Sequence, residues 1–102
     1  KSGLTKTQAD IYYQSKITYQ TKSVDYNVAS GDTAIALTGA VSKSFTLPTA
    51  TSGEIHYFKN NSTAILTIVG TIDGVTNYLI RTTGSGIMVI GDGSAWQVIG
   101  VF

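Results

Sequence analysis

The sequence predicts an all-β domain of the sandwich class, and three observations carry that reading. Apolar residues come in short runs such as Ala64 to Val69 and Ile87 to Ile90, too short for a helix of ordinary length. The runs are separated by clusters of Gly, Asp, Asn and Ser, the residues that turns select. Within most runs the side-chain character alternates with a period of two, as a strand with one buried face requires. At 102 residues the chain has room for one small domain rather than two.

Taken in order, residues 1–23 stand apart, rich in Gln, Thr, Lys and Tyr. Ile11, Tyr13, Ile17 and Tyr19 share one parity, against Gln14, Lys16, Thr18 and Gln20 on the other. That is strand alternation; Thr7-Gln8-Ala9-Asp10 imitates a helix capping box, but the β-branched and aromatic content favours extended chain. So few aliphatic residues cannot bury themselves, and residues 1–23 are read as a linker or shaft end leaning on a body formed by residues 24–102. Val24, Tyr26 and Val28 open that body, and Ser30-Gly31-Asp32 turns the chain. Ile35 with Leu37, then Phe45 with Leu47, mark two further strands, the second stopped by Pro48. Glu54 to Asn60 sets Ile55, Tyr57 and Lys59 against His56, Phe58 and Asn60. After the central run at 64–69, Thr71-Ile72-Asp73-Gly74 forms a turn, Asn77 to Thr82 a strand, and Thr83-Gly84-Ser85-Gly86 leads into Ile87 to Ile90. The hairpin loop Gly91-Asp92-Gly93-Ser94 returns the chain through Trp96, Val98 and Val101 to Phe102. Seven or eight short strands at this spacing suit a sandwich.

Charged residues make up 13%, about half the usual ~25%. The net charge is +1, and the β-rich part offers only Lys43, Lys59 and Arg81 as cations, too few and too scattered for counterion release from a nucleic acid backbone. No nucleic acid partner is expected. There is no cysteine, hence no disulfide framework and no thiolate metal site. No apolar run approaches the ~18 residues of a membrane span, so no membrane insertion is expected. The opening Lys1-Ser2-Gly3, without an initiator Met, suggests a piece of a longer polypeptide.

The runs 64–69 and 87–90 are apolar on both faces, yet a two-layer sandwich offers one inside per sheet. Something must cover the second face, and a homo-oligomer, most simply a trimer, would do so.

Five blocks in succession resemble a module of bacteriophage tail fibres, tailspikes and neck-appendage proteins, found near their C-termini. They are Phe45-Thr46-Leu47-Pro48; Gly53-Glu54-Ile55-His56-Tyr57-Phe58-Lys59-Asn60; Leu66-Thr67-Ile68; Thr71-Ile72-Asp73-Gly74; and Gly91-Asp92-Gly93-Ser94-Ala95-Trp96. The match covers about residues 24–102. Each block alone is weak, and the ordered set is what gives the resemblance its specificity. It implies a homotrimeric jelly-roll-type β-sandwich carried on a shaft formed by the rest of the fibre chain, in a virion part that contacts a host cell-surface glycan or envelope polymer. An adhesion or carbohydrate-binding module of a bacterial surface protein is the alternative, and a glycan hydrolase a third.

No catalytic, cofactor or metal residues are assigned. His56 is the one histidine, and His-x-His spacing is absent because position 58 is Phe. No G-x-S-x-G elbow supports a Ser-His-Asp triad, Gly84-Ser85-Gly86 lacks the third small residue of a dinucleotide loop, and the acidic residues are isolated along the chain. Glycan binding needs an aromatic platform beside amides or carboxylates, which makes Tyr57, Asn60, Asn61, Asn77, Tyr78 and Asp92 the ligand-binding candidates. Asp73, Gly74, Gly93 and Trp96 read as turn and anchor residues: Gly supplies positive φ, Asp closes Asx-type turns, and an indole fills a core while its N–H seeks a partner.

Overall fold

The structure is a computed structural model and describes residues 17–102. The alternation at Ile11 and Tyr13 and the capping-box imitation at residues 7–10 lie outside the described residues. The described residues are all-β, with nine strands: β1 (Tyr19–Lys22), β2 (Tyr26–Asn27), β3 (Ala34–Leu37), β4 (Lys43–Thr46), β5 (Ile55–Asn60), β6 (Leu66–Ile72), β7 (Val75–Ile80), β8 (Gly86–Gly91) and β9 (Trp96–Val101).

The first six strands alternate between two parallel ladders, β1-β3-β5 and β2-β4-β6. Each pair of strands is one coil of a short solenoid. Equivalent positions stack in register, Tyr19 beside Ala34 beside Tyr57 in one ladder and Tyr26 beside Phe45 beside Ile68 in the other. The chain then changes mode. β7 folds back on β6, β8 pairs antiparallel with β5, and β9 pairs antiparallel with β8 and touches β6 through Ile72 and Trp96. β8 and β9 thus join the ladders into one folded sheet of order β1-β3-β5-β8-β9-β6-β4-β2, with β7 flanking β6.

This topology departs from the hairpin-connected jelly roll that the resemblance implies. A jelly roll pairs its strands antiparallel; here the turns after β1 to β4 are corners that carry the chain to the opposite ladder. Gly, Asp and Ser serve a coil corner as well as a hairpin, so the turn signal alone does not separate the two. β1 lies within the stretch read as linker, yet it is hydrogen-bonded to β3 as part of the body sheet.

The inward positions build the core between the ladders. Ile35, Leu37 and Phe58 meet Phe45, Leu66 and Ile68, and Ile72, Ile87, Val89 and Trp96 extend the same cluster under the hairpins. Phe45 sits with its ring centroid 6.3 Å from both Tyr26 and Phe58, edge-on to the first and tilted to the second. At the β1-β2 end the inward positions turn polar. Asp32 accepts hydrogen bonds from the Gln20 amide at 2.7 Å and the Tyr26 hydroxyl at 2.6 Å, and the Lys22 ammonium lies 4.3 Å from the Tyr26 ring centroid. Partial burial works against the Asp32 charge, but the bonds from Tyr26, the Ala29 N–H and Gln20 outweigh it and hold the carboxyl below its usual range. The same contact pushes the Tyr26 hydroxyl up.

The runs read as apolar on both sides are buried on one and half open on the other. Leu66, Ile68, Ile87 and Val89 are inside, while Ile65, Val69, Met88 and Ile90 are partly exposed. Phe45→Ala should cost about 3–5 kcal/mol in urea unfolding, because it empties a fully enclosed site bounded by strands of both ladders. A loss under ~1 kcal/mol would show that the two ladders do not share this core.

Candidate functional site

Four of the five sequence blocks converge on Trp96. The β6-β7 connection is the two-residue turn Asp73-Gly74, with φ of 53° and 77°, the pairing of positive angles that a tight hairpin of this twist demands. It leaves the Asp73 carboxylate free to accept the Val98 N–H at 2.9 Å, while the Asp73 N–H donates to the Trp96 carbonyl at 3.0 Å. The indole N–H of Trp96 donates to the Pro48 carbonyl at 3.2 Å. So the residue that ends β4 pairing also satisfies the one polar atom of a side chain that is 3% exposed.

The β8-β9 loop is closed by Asp92. Its Oδ1 accepts the Ser94 and Ala95 N–H groups at 2.9 Å each, and its Oδ2 accepts the Gln97 amide at 2.9 Å. Those backbone donors, then Gln97, pull its pKa down to about 2. The first end of β5 is tied to the same loop, since Gly53 N–H donates to the Gly91 carbonyl and Gly91 N–H to the Glu54 carbonyl. Gly91 has no room for a side chain: a Cβ there would lie 2.3 Å from the Thr51 carbonyl oxygen.

Behind Trp96 lies His56, fully buried, its ring 5.3 Å from the indole and stacked at 6.1 Å on Phe58. Its Nε2 is 2.6 Å from Glu54 Oε2, and its Nδ1 has no partner among the described residues. In front of Trp96 a cleft of about 180 Å³ is lined by Leu47, Pro48 and Ala95 together with the hydroxyl residues Thr49, Thr71 and Ser94. Apolar floor and hydroxyl rim suit a neutral polyhydroxylated ligand. A second depression, about 230 Å³, opens on the outer face of the β1-β3-β5 ladder among Ile17, Tyr19, Tyr57 and Phe102, with Lys59 its one charged residue.

The ligand-binding candidates are not brought together. Tyr57 lines the second depression. Asn60 is fully buried: its Nδ2 donates to the Ala64 and Ile80 carbonyls, and its Oδ1 accepts the Ser62 N–H and hydroxyl. An amide spent this way clamps a turn and has nothing left for a ligand. Asn61 beside it is exposed, its N–H bonded to the Leu37 carbonyl. Asn77, at φ 64°, stands opposite Val69-Gly70 in a β-bulge, and its Oδ1 accepts the Gly70 N–H at 3.3 Å. Tyr78 packs half-buried against the core on β7, and Asp92 belongs to the β8-β9 loop. The residues that do share a cleft, Thr49, Thr71 and Ser94, were not among the sequence candidates; three ordinary hydroxyls, from the β4-β5 connection, the end of β6 and the β8-β9 loop, carry no ligand signal until the fold assembles them. Among the described residues no three His, Asp or Glu side chains form a metal-binding group.

Two substitutions test these roles. Asn60→Ala strands two carbonyls and the Ser62 donors inside the protein and should lower unfolding stability by about 2–4 kcal/mol; an unchanged denaturation midpoint would contradict the clamp. Asp92 contributes stability that is complete above the ordinary carboxylate range and is lost as pH falls through about 2. Asp92→Asn should therefore melt below the parent at pH 7, and the two melting temperatures should converge as pH drops from 4 toward 2.

No family model matches the chain, and no curated protein matches it. Four chains among solved structures do match. One of them, described as "Structure of a chaperone-substrate complex", aligns over 84% of this chain with a TM-score of 0.53 and 19% sequence identity. The chain spans 19% of that chain's length, and at this identity the likeness is one of fold.

Proposed function

We propose that this chain is a structural module of a bacteriophage tail fibre, tailspike or neck appendage. It works as a homotrimer in the virion, attaching to a host cell-surface glycan or envelope polymer, capping and locking the trimer, or both. The observation that carries the reading is that the blocks behind the resemblance, far apart in sequence, are bonded to one another in space. Pro48 meets Trp96, Asp73 meets Trp96 and Val98, and Gly53 and Glu54 meet Gly91. Blocks that interlock this way form one structural unit, which supports reading them as the signature of a single module.

The role is attachment without bond breaking. The cleft before Trp96 presents hydroxyls and apolar surface, chemistry for holding a sugar by hydrogen bonds and ring contact. One such site binds weakly; three held rigidly on one trimer gain avidity through effective concentration, with no single strong contact needed. The same cleft also favours the second reading, a carbohydrate-binding module of a bacterial surface protein, in which the domain would act as a monomer.

Light scattering at micromolar concentration should give three times the 10.8 kDa protomer mass; a monomer would favour the second reading. Immobilised lipopolysaccharide, teichoic acid and capsular polysaccharide should between them retain the protein, and Thr71→Val should weaken retention at least tenfold. Absence of binding to all three would leave trimer capping as the role, and released reducing ends would overturn the non-catalytic one.

A further inference from the structure

We propose that the cleft before Trp96 accepts a single uncharged sugar unit and turns away anionic ones, with Asp73 and Asp92 setting that preference. The inference rests on the attachment reading above and goes further by assigning what the cleft selects.

The fold sorts charge to its two long edges. At one edge β3 and β5 end and β4 and β6 begin, and there the Thr63 N–H donates to the Gly39 carbonyl and the Lys43 N–H to the Ile65 carbonyl. All four cations of the described residues lie at this edge. Lys22 is the register partner of Leu37, Lys59 of Ala36 and Lys43 of Leu66, while Arg81 follows Ile80, which also pairs with Leu66. Asp25, whose Oδ1 accepts the Ser44 N–H, is the one acid among them. The other four described acids, Asp32, Glu54, Asp73 and Asp92, lie at the opposite edge, where β4, β6 and β8 end and β3 and β5 begin.

The cleft opens at this acidic edge, between the chain after β4, the end of β6 and the β8-β9 loop. Its Leu47 and Thr71 stand four and five residues beyond the paired Lys43 and Leu66. That is about 13 Å or more of strand at ~3.3 Å per residue, past the ~8 Å screening length of physiological salt. No Lys or Arg lines the cleft, so a carboxylate or phosphate finds no charged partner there. The four acids differ in what they have left to offer. Asp32 is spent on Gln20 and Tyr26, and Glu54 on His56, whereas Asp73 and Asp92 are exposed. Asp92 Oδ1 accepts the N–H groups of Ser94 and Ala95, two residues of the cleft wall, and the Asp73 N–H donates to the carbonyl of Trp96 at its back. Its pKa pulled down to about 2, Asp92 is ionised throughout the neutral range. Neither acid is arranged to grip a ligand cation, because Asp92 Oδ2 accepts from Gln97 and Asp73 Oδ1 from Val98. They set negative charge beside the cleft without lining it. An anion brought near contact distance loses on the order of fivefold in affinity to each such charge.

Size and rim chemistry complete the selection. At about 180 Å³ the cleft is smaller than the ~300–1,000 Å³ of sites for drug-sized ligands, which gives room for one ring rather than a stretch of chain. Thr49, Thr71 and Ser94 each donate and accept, as the hydroxyls around a sugar ring do.

Trp96 is the one tryptophan, so its emission reports the cleft directly. The full chain is titrated with neutral hexoses, deoxyhexoses and N-acetylhexosamines, and with hexuronates. The tightest neutral sugar should shift the emission with a Kd at least tenfold below that of any uronate. Added salt should narrow the gap by screening the anion's repulsion, with the neutral sugar's Kd unchanged. Asp92→Asn should narrow it about fivefold in low salt. Thr49→Lys, at an exposed rim position, should tighten uronate binding at least tenfold, and Asp25→Asn at the far edge should change neither. Should Asp92→Asn fail to fold, Thr49→Lys and the salt series carry the test. A uronate that binds as tightly as the best neutral sugar would overturn the selectivity and leave attachment intact. So would retention on immobilised polysaccharide with no response of Trp96 to any of these sugars, since the bound unit would then lie outside the cleft. A protein neither retained by the polysaccharides nor responsive to any sugar would overturn attachment and this inference together.

Discussion

Two parallel ladders share one core because β8 and β9 carry hydrogen bonding from β5 across to β6, and that bridge is narrow where it lands. Ile72 and Trp96 are the register pair between β9 and β6, so the joint depends on what surrounds them. Asp73 supplies much of it, accepting from Val98 and donating to the Trp96 carbonyl, while the indole reaches back to Pro48. Charge-assisted bonds to a turn aspartate are stronger than neutral ones. A hairpin turn thus does more than reverse the chain: its side chain latches one ladder to the other. The glycine at the joint follows from crowding, with Gly91 pressed against the Thr51 carbonyl, where a Cβ would lie 2.3 Å away; Gly86, at the other end of β8, is pressed as closely against the Phe58 carbonyl.

Much of this was legible in the residues, for identifiable reasons. The alternation of Glu54 to Asn60 placed His56, Phe58 and Asn60 on one side and Ile55, Tyr57 and Lys59 on the other, and the fold keeps that division. Asp73-Gly74 and Asp92-Gly93 announced tight connections because few residues tolerate positive φ, and both are hairpin loops. Parallel stacking was not legible. Whether the turn at Ser30-Gly31-Asp32 sends the next strand beside its predecessor or across to another layer depends on contacts with strands that follow much later. Asn60 was misleading for a related reason. An Asn-Asn-Ser-Thr run reads as an exposed loop, and only the approach of Ala64 and Ile80 encloses the first amide.

His56 shows how a polar residue is accommodated in such a core. It occupies an inward position of β5 between Phe58 and Trp96, and Glu54, two residues earlier on the same face of the strand, supplies its partner. A buried imidazole without that carboxylate would leave both nitrogens unpaired. The pair also fixes the ring plane against the indole, so the position of Trp96 and the floor of the cleft before it depend on an interaction that no ligand touches.

The polar layer at the β1-β2 end has a consequence for how tall this stack can grow. Each interior coil offers its neighbours aliphatic and aromatic side chains, but the coil carrying Gln20, Lys22 and Tyr26 offers an amide, an ammonium and a phenol gathered around Asp32. Laying a further apolar coil on them would bury an ammonium and a carboxylate together, at a desolvation cost that apolar contact does not offset. The polar layer around Asp32 therefore disfavours stacking a further apolar coil on this end of the solenoid, and the limit is set by electrostatics.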